Sequence, residues 1–206
     1  MEKVISVSLV LCLFFSCKTD KNARQADEAQ KDFVIVPGER VGLIRANTTE
    51  AEAEQYYGID NIKMQEVPIA EGDAREGVLI FPGTKNELEI VWDIAANFGQ
   101  PDFIRISQDD TDWKTQEGIT VGTTLEALEK INGKPFKFYG FGWDYGGLVT
   151  NWNGGKLNSY LLVALIPQNF DKLDATLQGE VELSSDDPKV RELQAKIGSI
   201  VITFQQ

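Results

Sequence analysis

Three regimes of hydrophobicity succeed one another along the chain. Val4 to Phe15 is almost wholly apolar and follows the charged start Met1-Glu2-Lys3. From Lys18 to Lys31 there is no large apolar side chain. From residue 32 onward, apolar positions recur at helical spacing or alternate with polar ones, so this part can build a core.

Helical spacing occurs in two stretches that resemble each other. Thr48-Thr49 to Gly58 can be laid on Thr123-Thr124 to Gly133, so that the paired threonines and the later glycines coincide. Ala53 then falls on Leu128, and Tyr56 on Ile131. Each copy predicts a short helix. Thr123 is the expected N-cap with Glu126 three residues on, and Thr49 with Glu52 offers the same capping box. Leu125, Leu128 and Ile131 face the core. Gly58 and Gly133 suit the left-handed residue that closes a helix, and Pro135 prevents continuation. A short apolar lead-in precedes each helix, Val41 to Ile44 and Gly118 to Val121.

Strands are expected after each helix. The first set runs from Asn61 to Val67, Gly77 to Phe81, Leu88 to Trp92 and Phe103 to Ile106. The second runs from Phe136 to Phe141, Leu148 to Trp152 and Ser159 to Ile166. Tyr160 to Ile166 is continuously apolar and predicts a central strand covered on both faces. Ser185-Asp186-Asp187-Pro188 starts a last helix, to about Lys196, and a strand from Ser199 to Phe204 ends the chain. The expected fold is α+β. Residues 32–206 form a domain of two tandem helix-plus-antiparallel-sheet modules, about 40–106 and 117–166, with a C-terminal extension, 167–206, that adds a helix and a strand.

The two N-terminal regimes have a separate meaning. A charged start, a short apolar run and a small residue before a cut form a secretory signal. The run is too short to span a bilayer, which takes about 20 apolar residues. Phe14-Phe15-Ser16-Cys17 resembles the lipobox of bacterial lipoproteins, with Phe14 in place of the usual Leu. The resemblance implies that residues 1–16 are removed and that Cys17 carries acyl chains such as palmitate. The other reading is an ordinary signal peptide with an incidental cysteine. The polar segment of residues 17–31 reads as a tether, because it holds too little apolar surface to fold. The fourteen residues from Lys18 to Lys31, fully extended, reach roughly 50 Å. Lys18 after the cysteine implies, by the sorting rule of such lipoproteins, the outer membrane. Its periplasmic or surface face stays open.

Gly118-Ile119-Thr120-Val121-Gly122-Thr123-Thr124-Leu125-Glu126-Ala127-Leu128 with Gly133 resembles the tandem helix-plus-sheet modules of the β-lactamase inhibitor protein and of small outer-membrane lipoproteins that assist barrel assembly. Residues 132 to 157 are also similar to a segment of uncharacterised envelope lipoproteins. The inhibitor's disulfides are absent here and none of its contact residues can be placed, so inhibition is not carried over.

Composition removes more chemistry than it supplies. The chain has no histidine and two cysteines, Cys12 in the leader and Cys17. Histidine-based triads and the common zinc sites are excluded. A net charge of −12 and no basic cluster argue against nucleic acid. No cofactor or metal is expected. Asp109, Asp110 and Asp112 cluster beside Trp113, but lack the spacing of a calcium loop and read as a solvated turn. Asp144, between Trp143 and Tyr145, is the best carboxylate for glycan hydrolysis, which would need a deep cleft with a second carboxyl. Its other reading is a turn residue ahead of Gly146-Gly147. Trp143, Asp144, Tyr145 and Trp152 form the candidate binding surface, where interleaved glycines would let a protein or glycan partner approach. The expected function is a non-enzymatic, membrane-anchored binding module of the envelope; the alternatives are a carboxylate hydrolase and a structural lipoprotein.

Overall fold

In the computed structural model the described residues are 31–69, 72–97 and 99–204. The expected leader, Cys17 and the tether up to residue 30 lie outside them. The fold is α+β, as expected, and strand dominates.

Among the described residues, three sheets carry thirteen strands. The first consists of β1 (Val34–Val36), β2 (Arg40–Val41), β3 (Ile44–Arg45) and β8 (Lys114–Thr115), with β8 parallel to β1. The main sheet has six antiparallel strands. They are β4 (Ile62–Pro68), β5 (Ala74–Ile80), β6 (Leu88–Trp92), β7 (Pro101–Ile106), β11 (Leu161–Ile166) and β13 (Lys196–Ile202). Their order across the sheet is β11-β13-β7-β6-β5-β4. A small third sheet pairs β9 (Lys137–Tyr139) with β10 (Val149–Asn151) and β12 (Glu182–Ser184).

The two helix copies share three hydrogen bonds at matching positions. They are α1 (Glu50–Tyr57) and α2 (Leu125–Asn132). Thr48 Oγ1 accepts from the Arg45 N–H, and Thr123 Oγ1 from the Thr120 N–H. Thr49 then caps α1 through the Glu52 N–H, and Thr124 caps α2 through the Ala127 N–H. Gly58 N–H donates to Glu54, and Gly133 N–H to Glu129.

Three expectations about these helices change. The cap of α2 is Thr124, not Thr123, so its third residue is Ala127 and α2 has no capping box; the Thr49–Glu52 box is present. Gly133 adopts the left-handed conformation, at φ 80° and ψ 1°, whereas Gly58 has ψ 143° and leads straight into a 3-10 turn at Ile59–Asn61. The last helix, α3 (Pro188–Glu192), starts within the expected segment, with Asp187 as its cap, but ends before Lys196, where β13 begins.

The strands that follow the two helices share one sheet. β13 of the C-terminal extension inserts between β7 of the first half and β11 of the second. Its start is tied to the turn that leads into α2 by hydrogen bonds from Gly122 N–H to Ile197 O and from Ile197 N–H to Thr123 O. β11 is therefore the end strand of the main sheet, not a central one. Its free edge is met by one isolated bridge from Leu148 to Ala164. One face buries Leu161, Val163 and Leu165; Leu162 and Ala164 on the other are only half-buried.

A single hydrophobic cluster joins these parts. Trp92, Ile90 and Leu88 on β6 and Ile104 and Ile106 on β7 share it with Ala53 and Tyr57 of α1 and Leu125 and Leu128 of α2. The sheet's side-chain period of two puts those strand residues on one face. Arg105 and Glu89 face the other way, paired to each other across β6 and β7. Among the described residues no helix is long and apolar enough to cross a membrane.

Candidate functional site

The structure divides the expected binding surface in two. Tyr139, Trp143 and Tyr145 form a ladder of edge-on rings, with centroids 5.4 Å apart for the first pair and 5.3 Å for the second. Tyr139 and Trp143 are half-buried and Tyr145 is 41% exposed. The Trp143 Nε1–H donates to Gly140 O at 2.9 Å, which fixes the indole over the turn.

Trp152 does not belong to this surface. It is 9% exposed and packs on Phe136, with ring centroids 5.3 Å apart. A register irregularity between Val149 and Asn151 explains the change. An extra residue in a strand reverses which side chains face inward, so Trp152 joins Val149 in the core. Phe136 and Phe138 are fully buried core residues.

The glycines beside the aromatics serve the fold itself. Gly147, at φ 76°, has the backbone of Leu165 against it, and a Cβ there would lie 2.0 Å from Leu165 O. Hydrogen bonds from Leu165 N–H to Gly147 O and from Gly147 N–H to Tyr139 O close this approach. At Gly140 a Cβ would meet the backbone of Leu177 and Gly179 within 3 Å. At these two glycines the approach is occupied by the chain's own strands and turns, whereas Gly142 is exposed with only Gln178 Oε1 near it.

Asp144 is exposed on the turn between Trp143 and Tyr145. It lines an open depression of about 360 Å³ together with Pro68, Ile69, Gly72, Asp73, Ala74 and Arg105. Asp73, just before β5, supplies the second carboxylate that sequence reading did not place, because it lies far from Asp144 along the chain. Both carboxylates are exposed. This is an open basin, not the deep cleft that carboxylate hydrolysis requires.

The acidic turn near Trp113 is held from several sides. Asp112 accepts from Lys85 Nζ at 2.7 Å and from Asn86 Nδ2 at 2.9 Å. These bonds, Lys85 first, hold its carboxyl below the usual value. Asp110 sits at φ 57° in the turn, and Asp109 reaches Lys196 at 3.4 Å. Among the described residues no three Asp, Glu, His or Cys side chains converge as metal ligands.

Two further concavities were not legible in the sequence. One, of about 510 Å³, contains Asp93 and Asp102 beside the C-terminal Phe204. Its carboxylates are already engaged, Asp93 by Gln100 and Asp102 by Arg75. The other is smaller, about 120 Å³, and lies between α1 and the β4–β5–β6 end of the main sheet. It is lined in part by Trp92, which is 1% exposed and whose Nε1–H has no acceptor among the described residues. Glu50 and Glu76 stand beside it. Burial raises the Glu50 carboxyl above its ordinary value, and the charges of Glu54 and Glu76 add to that.

No protein-family model, curated protein or solved structure matches this chain.

Proposed function

We propose that this is a lipid-anchored envelope protein whose domain binds a protein partner through Tyr139, Trp143 and Tyr145, with Asp144 at the rim of the contact. The observation that carries the binding reading is the aromatic ladder. Three large rings lie against one another at the surface, and one is 41% exposed. Trp and Tyr dominate the energetics of protein interfaces because they desolvate much area with few rotors. Trp143 is held in place by its bond to Gly140, so little side-chain freedom remains to be lost on binding.

The anchor rests on the sequence around Cys17. An apolar run, Ser16-Cys17 and a polar segment follow one another in the order that lipidation requires. Each buried CH₂ of an acyl chain contributes about 0.8 kcal/mol, so more than one chain makes attachment firm. Lys18 favours the outer membrane, by the sorting rule of such lipoproteins.

The two halves are tested separately. A photo-crosslinking residue at Tyr145 should give a discrete adduct in cells, and one at the exposed Thr150 should not. Trp143→Ala should abolish the adduct while leaving the circular dichroism unchanged. Equal labelling at both positions would remove the ladder as the contact. For the anchor, the mature N-terminal peptide should begin at Cys17 and carry the mass of diacylglycerol. An unmodified sulfur would remove that half.

A further inference from the structure

We propose that the free edge of β4 is a docking strand for an extended segment of a partner protein, one that sets a lysine or arginine opposite Glu66 and apolar side chains opposite Met64 and Ile62. The edge shares no residue with the Tyr139–Tyr145 surface, and neither reading depends on the other.

β4 ends the main sheet, so it is paired on its β5 side alone. The ladder shows which of its backbone groups stay open. Phe81 N–H donates to Asn61 O and Ile69 N–H to Asp73 O, in the same register that pairs Lys63 with Leu79, Gln65 with Gly77 and Val67 with Arg75. Hydrogen-bonded and non-bonded pairs alternate along an antiparallel ladder. Lys63, Gln65 and Val67 therefore turn their backbone groups to β5, and Ile62, Met64, Glu66 and Pro68 turn theirs outward. Pro68 has no N–H, and Ile62 N–H is taken by Ile59 O. The open edge thus offers the N–H groups of Met64 and Glu66 and the carbonyls of Ile62, Met64, Glu66 and Pro68. Such a row is a template on which another strand can pair.

Apolar side chains collect along this edge. Met64, 62% exposed, sits at its middle; Ile59, 68% exposed, precedes β4, and the exposed Ile69 follows it. Pairing with a further strand would cover Met64.

Charge selects the guest. Glu66 stands directly opposite Glu76 in a non-bonded pair, the kind in which side chains come closest. Like charges so placed cost stability. Glu50 and Glu76 line one cavity with Met64, and Asp60 lies in the turn before β4. The ion pairs of the described residues use none of these four carboxylates. The cations of β4 and β5 are engaged elsewhere. Lys63 faces the other side of the sheet from Glu66, and Arg75 is held by Asp102 and Trp92 O. A strand laid along β4 puts one side chain directly opposite Glu66, on the face that carries Glu76. A basic residue there relieves the like pair, and the next side chain on that face covers Met64. An acidic segment would gain the backbone bonds but add to the repulsion. A second copy of this chain would bring the same four carboxylates against these four.

The test titrates the full ¹⁵N-labelled chain with the acetylated, amidated peptide TKTLTVT. As an antiparallel strand it sets its lysine opposite Glu66, its leucine opposite Met64 and its valine opposite Ile62. In the chain alone, the amides of Met64 and Glu66 should exchange fast, and those of Lys63, Gln65 and Val67 slowly. At saturation the peptide should slow Met64 and Glu66 by about tenfold or more. Methylating the leucine nitrogen, which faces β4, should abolish binding, whereas methylating the threonine nitrogen that follows it, which faces away, should not. Glutamate in place of the peptide's lysine should weaken binding by about tenfold, and Glu66→Gln should reduce that discrimination. Unchanged exchange at Met64 and Glu66, or equal binding of the peptide methylated at leucine, overturns the strand addition. Equal binding of the glutamate peptide overturns the basic partner. Protection of Met64 and Glu66 in the chain alone, growing with its concentration, would give the edge to a second copy and overturn the proposal.

Discussion

Asn132 is fully buried, and its amide joins three backbone groups from separate parts of the chain. Its Nδ2 donates to Lys134 O and Trp152 O, both at 2.9 Å, and its Oδ1 accepts from Leu157 N–H at 3.2 Å. Gly155 passes so near that a Cβ there would lie 2.1 Å from Oδ1. The amide therefore fixes the turn after Trp152 against the end of α2. Removing one partner of a buried hydrogen bond leaves the other unsatisfied, at a cost of about 1–3 kcal/mol per group. Asn132→Ala strands two carbonyls and one N–H. We expect a loss of about 2–4 kcal/mol in urea unfolding, and a similar or larger loss for Asn132→Asp, which cannot donate when ionised. An unchanged midpoint in both would show that the turn is held by other means. Sequence reading saw Asn132 only as the residue before a helix-closing glycine, because its partners lie up to 25 residues away.

At the scale of elements, the two threonine pairs allow a sharper test than the helices themselves. Thr124 caps α2 and Thr123 closes the turn on Thr120, although the sequence suggested the first threonine as the cap. Thr124→Ala should speed amide exchange at Ala127 and lower stability by about 1 kcal/mol, the usual worth of an N-cap. Thr123→Ala should speed exchange at Thr120 and leave Ala127 protected. The reverse pattern would restore the sequence-based assignment. Local elements were legible because their signals are local: β6 spans Leu88–Trp92, the range expected for it, and Pro188 follows the cap of α3. Pairing was not. No nearby residue announces that β13 inserts between β7 and β11, and the apolar run of β11 looked central because one face is buried and the other half-covered. The candidate surface divides along the same line. Trp143 and Tyr145 could be read as surface aromatics at a turn. Trp152 could not be placed, because an irregularity between Val149 and Asn151 changes strand parity without a sequence mark of its own.

For the molecule as a whole, the decisive fact is a charge of −12 with no histidine to titrate near neutrality. Hydrogen bonds hold Asp93, Asp112, Asp174, Asp186 and Glu52 below their ordinary values: Gln100 leads at Asp93, Lys85 at Asp112, Thr176 at Asp174, Ser184 at Asp186 and Thr49 at Glu52. A lowered carboxyl binds fewer protons folded than unfolded. Its contribution is present above the unfolded values of 3.8 for Asp and 4.5 for Glu, and is lost as pH falls through the folded ones. Glu50 runs the other way: burial raises it, so its contribution is present below 4.5 and is lost as pH rises through the folded value. Burial also pushes the Tyr57 phenol above its ordinary 10.0, so its contribution is present below pH 10 and is lost above it as the unfolded phenol ionises first. Between these limits no side chain of ordinary pKa changes charge. The melting temperature should therefore be nearly flat from about pH 6 to 9, fall below about pH 4 and fall again above about pH 10. Tyr57→Phe should flatten the alkaline limb while lowering stability throughout, since it loses the bond from Leu43 N–H. Added salt should raise the plateau, because screening relieves the repulsion among excess carboxylates. It should not shift the acid limb to higher pH, because the bonds that lower these carboxyls are short-range. Calorimetry across this range at two ionic strengths decides the matter. A step between pH 6 and 8 would mean that a strongly displaced carboxyl, and not the peripheral hydrogen bonds, governs how this acidic domain responds to protons.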